Sequence, residues 1–277
     1  MRISKSNIFL NNSEYNTLDV STVLNSMLQS LSNSKFKNYF IIKGGSALMI
    51  MFKEMNETEY IRETTDIDIH CSDREVWNEF IYNCESILNN NNNGLKFTLI
   101  KERKLTTETS SSSLKFNVFD YINNKECTVK IDMNIKSNNI IGYKKFKSID
   151  LNHFDFYTML SDKIVVCCSK KIFRRIKDLY DLYTITRVSE IELIKLINRL
   201  ELKHGIDKLE MFINEESYNG LEHAYSKYKG LPIDIDFNEL YIYAINFLCP
   251  FIRYYNKEIN LNDYFWYPEK HCWGRLI

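Results

Sequence analysis

The stretch that most limits how this chain can fold lies between Tyr39 and His70. The apolar run Tyr39-Phe-Ile-Ile-Lys43 stops at Gly44-Gly45, and Ser46-Ala-Leu-Met-Ile-Met-Phe52 then has the composition of a helix that begins at a serine. A strand, a glycine turn and a helix are thus followed by Thr65-Asp-Ile-Asp-Ile-His70, which alternates polar and β-branched residues as a half-buried strand does. Successive side chains of a strand point to opposite faces, so Asp66 and Asp68 share one face while Ile67 and Ile69 enter the core.

Around this nucleus the periodicity predicts a helix over Leu18 to Leu31, a second over Asp73 to Leu88, and strands over Leu95 to Lys101, Leu114 to Tyr121 and Cys127 to Ile135. Ser110 to Ser113 is expected at the exposed tip or approach of a hairpin, without a role of its own. From Phe154 the pattern turns almost wholly helical: Phe154 to Cys168, Arg174 to Thr186, Glu190 to Leu200, Gly205 to Phe212, Ser217 to Lys227 and Phe237 to Phe251. The expectation is an α/β (α+β) domain with a mixed sheet over residues 1–150, then an all-helical domain over 151–277, with the boundary near Ser137 to Asn152. A chain of 277 residues is long enough for two cores.

With 44% hydrophobic and 26% charged residues the composition is that of a soluble globular protein, and disorder is excluded. Lys+Arg and Asp+Glu both number 36, so no overall field draws in a polyanion, and a nucleic-acid partner would have to meet a local basic patch. No apolar run approaches the ~20 residues of a membrane helix, and Met1 to Asn16 lacks the apolar core of a secretory signal. A cytoplasmic protein is expected. The seven cysteines are odd in number and form no CxxC pair, which suits reduced thiols rather than a disulfide frame or zinc site.

Two carboxylates held a few ångströms apart repel each other unless a cation neutralises them. A hard divalent ion with oxygen preference, magnesium or manganese, is the usual partner. Taken alone the D-x-D pair is as well read as an exposed strand face, and a Gly-Gly turn alone is more often punctuation. Together they describe one object: a glycine-lined helix N-terminus at Gly44, Gly45 and Ser46 that offers N–H groups to a phosphate, beside carboxylates for the bridging metals. Asp132, in the alternating segment Thr128 to Ile135, can join from a neighbouring strand as a third ligand or as a base. Lys130 and Asn134 share its face. Lys163, Lys170, Lys171, Arg174, Arg175 and Lys177 form a basic run with one acid, Asp162, and are either the missing patch or a solvated helix face. The C-terminal aromatics, Tyr254 to Trp273, fit packing against the helices better than base stacking.

Lys43-Gly-Gly-Ser-Ala-Leu48, Arg62-Glu-Thr-Thr-Asp-Ile-Asp68, Lys163 and Arg174-Arg-Ile-Lys-Asp-Leu-Tyr-Asp181, in that order, resemble the AbiEii/AbiGii (MenT-like) nucleotidyltransferase toxins of the DNA polymerase β-type nucleotidyltransferase superfamily. The resemblance covers about Phe40 to Tyr183. It implies that Gly45 and Ser46, with Lys43 and Gly44 beside them, lie at the nucleotide's phosphates, that Asp66 and Asp68 ligate metal, and that Lys163 neutralises triphosphate charge. It adds Arg62, Arg174 or Arg175, and Lys177 as nucleotide ligands and brings Asp178 and Asp181 to the cleft from a helix. On spacing alone those last residues read equally well as helix charges and ion-pair partners.

The resemblance implies NMP transfer from an NTP to a hydroxyl, with the 3′ end of tRNA as acceptor, in an abortive-infection toxin–antitoxin system of antiviral defence with a cognate antitoxin. Two rivals remain at the level of sequence: a small-molecule, antibiotic-type nucleotidyltransferase, and a non-catalytic nucleotide-binding regulator.

Overall fold

The computed structural model describes residues 18–90, 94–106, 109–135, 142–167, 176–202, 215–228, 230–255 and 264–275. Helix α1 (Val20–Ser32) starts where Asp19 accepts hydrogen bonds from the Ser21 and Thr22 N–H groups, each at 3.1 Å, an N-cap. Strand β1 (Phe40–Lys43) passes directly into α2 (Gly44–Met55), and a 3₁₀ turn at Thr58–Tyr60 leads to β2 (Asp66–Cys71). Asp73 caps α3 (Arg74–Leu88) in the same way as Asp19 caps α1.

Strands β3 (Leu95–Arg103), β4 (Ser111–Asp120) and β5 (Lys125–Asn134) follow as an antiparallel meander. Ser111 to Ser113 are strand residues rather than a hairpin tip. Ser112 is fully buried and its hydroxyl donates to the Arg103 carbonyl at 2.9 Å, so the serine run pairs along β5 and meets the end of β3 where a polar tract suggested solvent. Two short strands lie next, β6 (Tyr143–Lys145) and β7 (Asn152–Phe154). The seven strands make one mixed sheet in the order β3-β4-β5-β2-β1-β7-β6, with β5/β2 and β1/β7 parallel and the other pairs antiparallel. The sheet therefore runs on to Phe154, just past the expected boundary.

One face of the sheet is a packed core. Ile67 and Ile69 of β2, Val129, Ile131 and Met133 of β5, and Phe116 and Val118 of β4 are buried there with Met27 of α1 and Trp77 and Phe80 of α3. Burying an aromatic or branched side chain stabilises the fold by about 1.5–3 kcal/mol each, so this face fixes the register and with it the polar residues on the opposite face.

Beyond the sheet come α4 (Phe156–Cys167), α5 (Ile176–Val188), α6 (Leu193–Leu202), α7 (Glu215–Lys227) and α8 (Phe237–Tyr255). The helix expected over Gly205 to Phe212 lies outside the described residues. The helical part also carries a three-stranded sheet: β8 (Ile191–Glu192), β9 (Tyr264–Tyr267) and β10 (Cys272–Arg275), in the order β10-β9-β8. Here the C-terminal aromatics pack as expected. Trp266 is fully buried against Phe247 and Tyr243, and its indole N–H donates to the Thr186 carbonyl at 2.7 Å. Among the described residues no helix is long and apolar enough to cross a membrane, and Cys71, Cys84, Cys127, Cys249 and Cys272 are free thiols.

Candidate active site

The β1–α2 junction explains the two glycines. Gly44 has φ +64, a left-handed conformation that only glycine adopts without cost. A Cβ on it would lie 2.2 Å from Asp68 Oδ2, so the turn and the carboxylate strand are in direct contact. A Cβ on Gly45 would stand 3.1 Å from both the Arg62 guanidinium and Thr64 Oγ1. No side chain caps the N-terminus of α2, which leaves its first-turn N–H groups to an external acceptor. Ser46 is fully buried and its hydroxyl donates to the Lys43 carbonyl at 3.2 Å. The turn thus presents main-chain N–H groups.

The three aspartates share one sheet face. Parallel pairing of β2 with β5 sets Asp68 opposite Asp132 and Asp66 opposite Lys130, and antiparallel pairing with β1 sets Lys43 opposite Asp68 on its other side. All three carboxylates are half-buried. Thr64, a residue missed in the sequence, is buried and donates from Oγ1 to Asp66 Oδ1 at 2.9 Å, fixing that carboxylate's orientation. Its signal was slight: a hydroxyl two residues before the first aspartate.

Burial pushes the Asp68 carboxyl up to about 6. Lys43 opposes that shift, Asp66 and Asp132 add to it, and Lys163 opposes it weakly. A carboxylate held against two others is the condition a divalent cation relieves. The donor set, oxygen only and acidic, suits magnesium or manganese. Among the described residues no three His, Cys, Asp or Glu side chains form a ready-made metal cluster. The strands thus set the carboxylates on one face without drawing them together.

The facing wall comes from α4 and α5. A cavity of about 370 Å³ is lined by Lys43, Gly44, Leu48, Asp68, Asn134, Met159, Asp162, Lys163, Val165, Val166 and Asp178, a volume in the range of small-ligand sites. Lys163 is buried and pairs with Asp178 at 2.7 Å and Asp181 at 2.6 Å. Arg62 grips Asp181 with both prongs, Nε to Oδ1 at 2.7 Å and Nη2 to Oδ2 at 2.8 Å. Burial works against the charge on Arg62, but Asp181 outweighs it and holds the guanidinium above its ordinary pKa. The same balance raises Lys163, where Asp181 and Asp178 overcome burial. Burial would raise Asp181, yet Lys163 and Arg62 bring its carboxyl below the usual range.

These four residues form one ionic network. Arg62 is neither a surface ion pair nor a group aimed at the strand carboxylates. Asp181 is almost fully enclosed and joins Arg62 to Lys163. Lys163 and Asp178 are the members of the network that line the cavity.

Lys177 is exposed and lies over the Tyr228 ring, 5.6 Å from its centroid, away from the cavity lining. Lys170, Lys171, Arg174 and Arg175 lie outside the described residues, so only part of the expected basic run is placed.

The sequence model of one family, described as the nucleotidyl transferase AbiEii toxin of type IV TA systems, matches residues 26–238. No curated protein matches the sequence. Two solved structures share the fold over most of both chains. One is JHP933 from Helicobacter pylori, at 14% identity and TM-score 0.51, covering 86% of this chain and 92% of that one. The other is an H. pylori protein described as a candidate nucleotidyltransferase, at 15% identity and TM-score 0.52, covering 90% and 99%.

Proposed function

The chain belongs to the AbiEii nucleotidyl transferase toxin family, and on that premise we propose that it transfers NMP from a nucleoside triphosphate to a hydroxyl at the 3′ end of tRNA. In this reading it acts in the cytoplasm as the toxin of an abortive-infection system, held in check by a cognate antitoxin. Residues 1–150 carry the transfer chemistry, and residues 151–277 close the groove from the side of Lys163 and Asp178.

The observation that carries the reading is the contact between Gly44 and Asp68: a Cβ on the glycine would overlap the carboxylate, 2.2 Å from Oδ2. A triphosphate seated on the N–H groups of α2 has its phosphates at the edge of the aspartate face. Asp66, Asp68 and Asp132 would hold magnesium or manganese, which when bound stabilises charge on the phosphates and lowers the pKa of the acceptor hydroxyl. Thr64 donates to Asp66 Oδ1, and in this reading Asp132, on the strand away from the turn, would take the hydroxyl proton. Lys163, held in the cavity wall by Asp178 and Asp181, would neutralise triphosphate charge by exchanging one of these carboxylates for a phosphate oxygen.

The test is incubation of the purified chain with α-labelled triphosphates, magnesium and total RNA. Label is expected in tRNA with wild type and lost with Asp66→Ala or Asp132→Ala. Label confined to small molecules, or no transfer from any triphosphate, refutes the RNA acceptor or the transfer itself.

A further inference from the structure

The open face of the β3–β4–β5 meander carries a row that no local stretch of sequence reveals. Register places Lys101 of β3 opposite Lys115 of β4, Lys115 opposite Lys130 of β5, and Lys130 opposite Asp66 of β2. Three lysines from three strands thus stand side by side and lead to the first aspartate. The adjacent row runs Arg103, Ser113, Asp132, Asp68. Lys101, Lys130 and Arg103 are exposed and Lys115 is half-buried, while the opposite face of the same strands is the packed core. Among the described residues none of the three lysines enters a salt bridge.

Like charges directly opposite one another destabilise a sheet pair. Here two successive cross-strand pairs are lysine on lysine, and the first acid along the row is Asp66 at its end. Such a row is relieved by a polyanion laid across the strands. At ~4.8 Å between strands the row spans about 14 Å from Lys101 to Asp66, enough for several phosphates of a single strand.

Its direction identifies the ligand. Lys43 and the Gly44 turn occupy the β1 side of Asp68, where the triphosphate approaches, so an acceptor must reach Asp68 and Asp132 from the β5 side. We propose that Lys101, Lys115 and Lys130 are a docking track for the phosphates of a single-stranded 3′ RNA end, delivering its terminal hydroxyl to Asp132. An acidic protein would satisfy the charge as well, but the row runs directly into Asp66 beside Asp132, which suits a substrate whose end has to reach those carboxylates. This inference rests on the RNA acceptor proposed above and goes beyond it by assigning the surface.

The experiment uses the full chain with Lys101→Gln/Lys115→Gln, two positions set back from the aspartates, and Lys35→Gln/Lys195→Gln as a control of equal charge at exposed sites elsewhere. Binding of a fluorescent single-stranded RNA with a free 3′ hydroxyl is followed by anisotropy across a salt series, and transfer kinetics are measured in parallel. The track predicts that the slope of log K against log salt falls by about 1.4, at ~0.7 per lysine, and that KM for RNA rises about tenfold while KM for the triphosphate stays at the control's value. A slope and an RNA KM equal to the control's overturn the track, even if wild type labels RNA and the function above stands. Displacement of the RNA by oligoglutamate at equal charge concentration, lost in the double variant, overturns the choice of nucleic acid. A wild-type chain that neither binds nor labels RNA refutes the track and the RNA acceptor together.

Discussion

Replacing Asp68 by asparagine should stabilise the metal-free protein while ending its activity. The folded carboxyl titrates at about 6, against 3.8 for a free aspartate, because it is buried and faces Asp66 and Asp132. The folded state therefore holds this proton more tightly than the unfolded state does. Wild-type stability falls as pH rises from about 4 to about 6, and the whole penalty is present above that window. At about 1.4 kcal/mol for each tenfold change in proton affinity, the shift corresponds to about 3 kcal/mol, and partial solvent screening brings the working figure to about 1–3 kcal/mol.

Asparagine keeps the shape and removes the charge. In a chain of this length each kcal/mol moves the melting temperature by roughly 2 °C, so Asp68→Asn should melt about 2–6 °C above wild type at pH 7 in chelator. The assay is a set of thermal melts between pH 4 and 7.5 in EDTA, repeated with magnesium. The gap should close towards pH 4, and magnesium should raise wild type more than the variant. If Asp68→Asn melts lower than wild type at pH 7 in chelator, or if the gap ignores pH, the burial and repulsion ascribed to this carboxylate are wrong.

Gly44→Ala must place a methyl group where Asp68 Oδ2 lies and hold alanine at φ +64. A loss of about 1–2 kcal/mol in stability from the backbone alone and about a 100-fold fall in kcat/KM from the displaced carboxylate are expected, read by chemical denaturation and by transfer assays. Asp181→Ala leaves Arg62 and Lys163 buried without their shared counter-ion, and should cost about 3–5 kcal/mol in denaturant melts. Because the Asp181 carboxyl titrates below its ordinary value, its contribution is present above about pH 4 and lost as pH falls through the lower folded value. The variant should therefore lack that part of the wild-type acid transition.

The residues at the centre of the site could be read from the sequence because their signals are local. The glycine pair interrupts an apolar strand, and Asp66 and Asp68 alternate with buried isoleucines, so turn, strand and shared face follow from the backbone's own geometry. Asp132 needed one further step, that its strand lies beside β2, which the register provides. What could not be read depends on pairing between distant segments. Strands β6 and β7, three residues each, are too short to show a period, and β8 pairs Ile191 with Trp266 across most of the helical part. Arg62 and Asp181, 119 residues apart, look like surface charges until folding encloses them together. The lysine row has no sequence motif at all, since its members are aligned only by strand register.

The small C-terminal sheet bears on when the protein becomes competent during synthesis. Trp266 ties off the end of α5, the helix that presents Asp178 and Asp181, and β9 reaches back to β8 for its partner. A ribosome that has delivered the aspartate strands and even α5 has still not delivered that clasp. A nascent chain ending before Tyr264 would leave Lys163 and Arg62 facing a loosely seated helix, and the two walls of the cleft would be brought into register only by residues translated well after both of them.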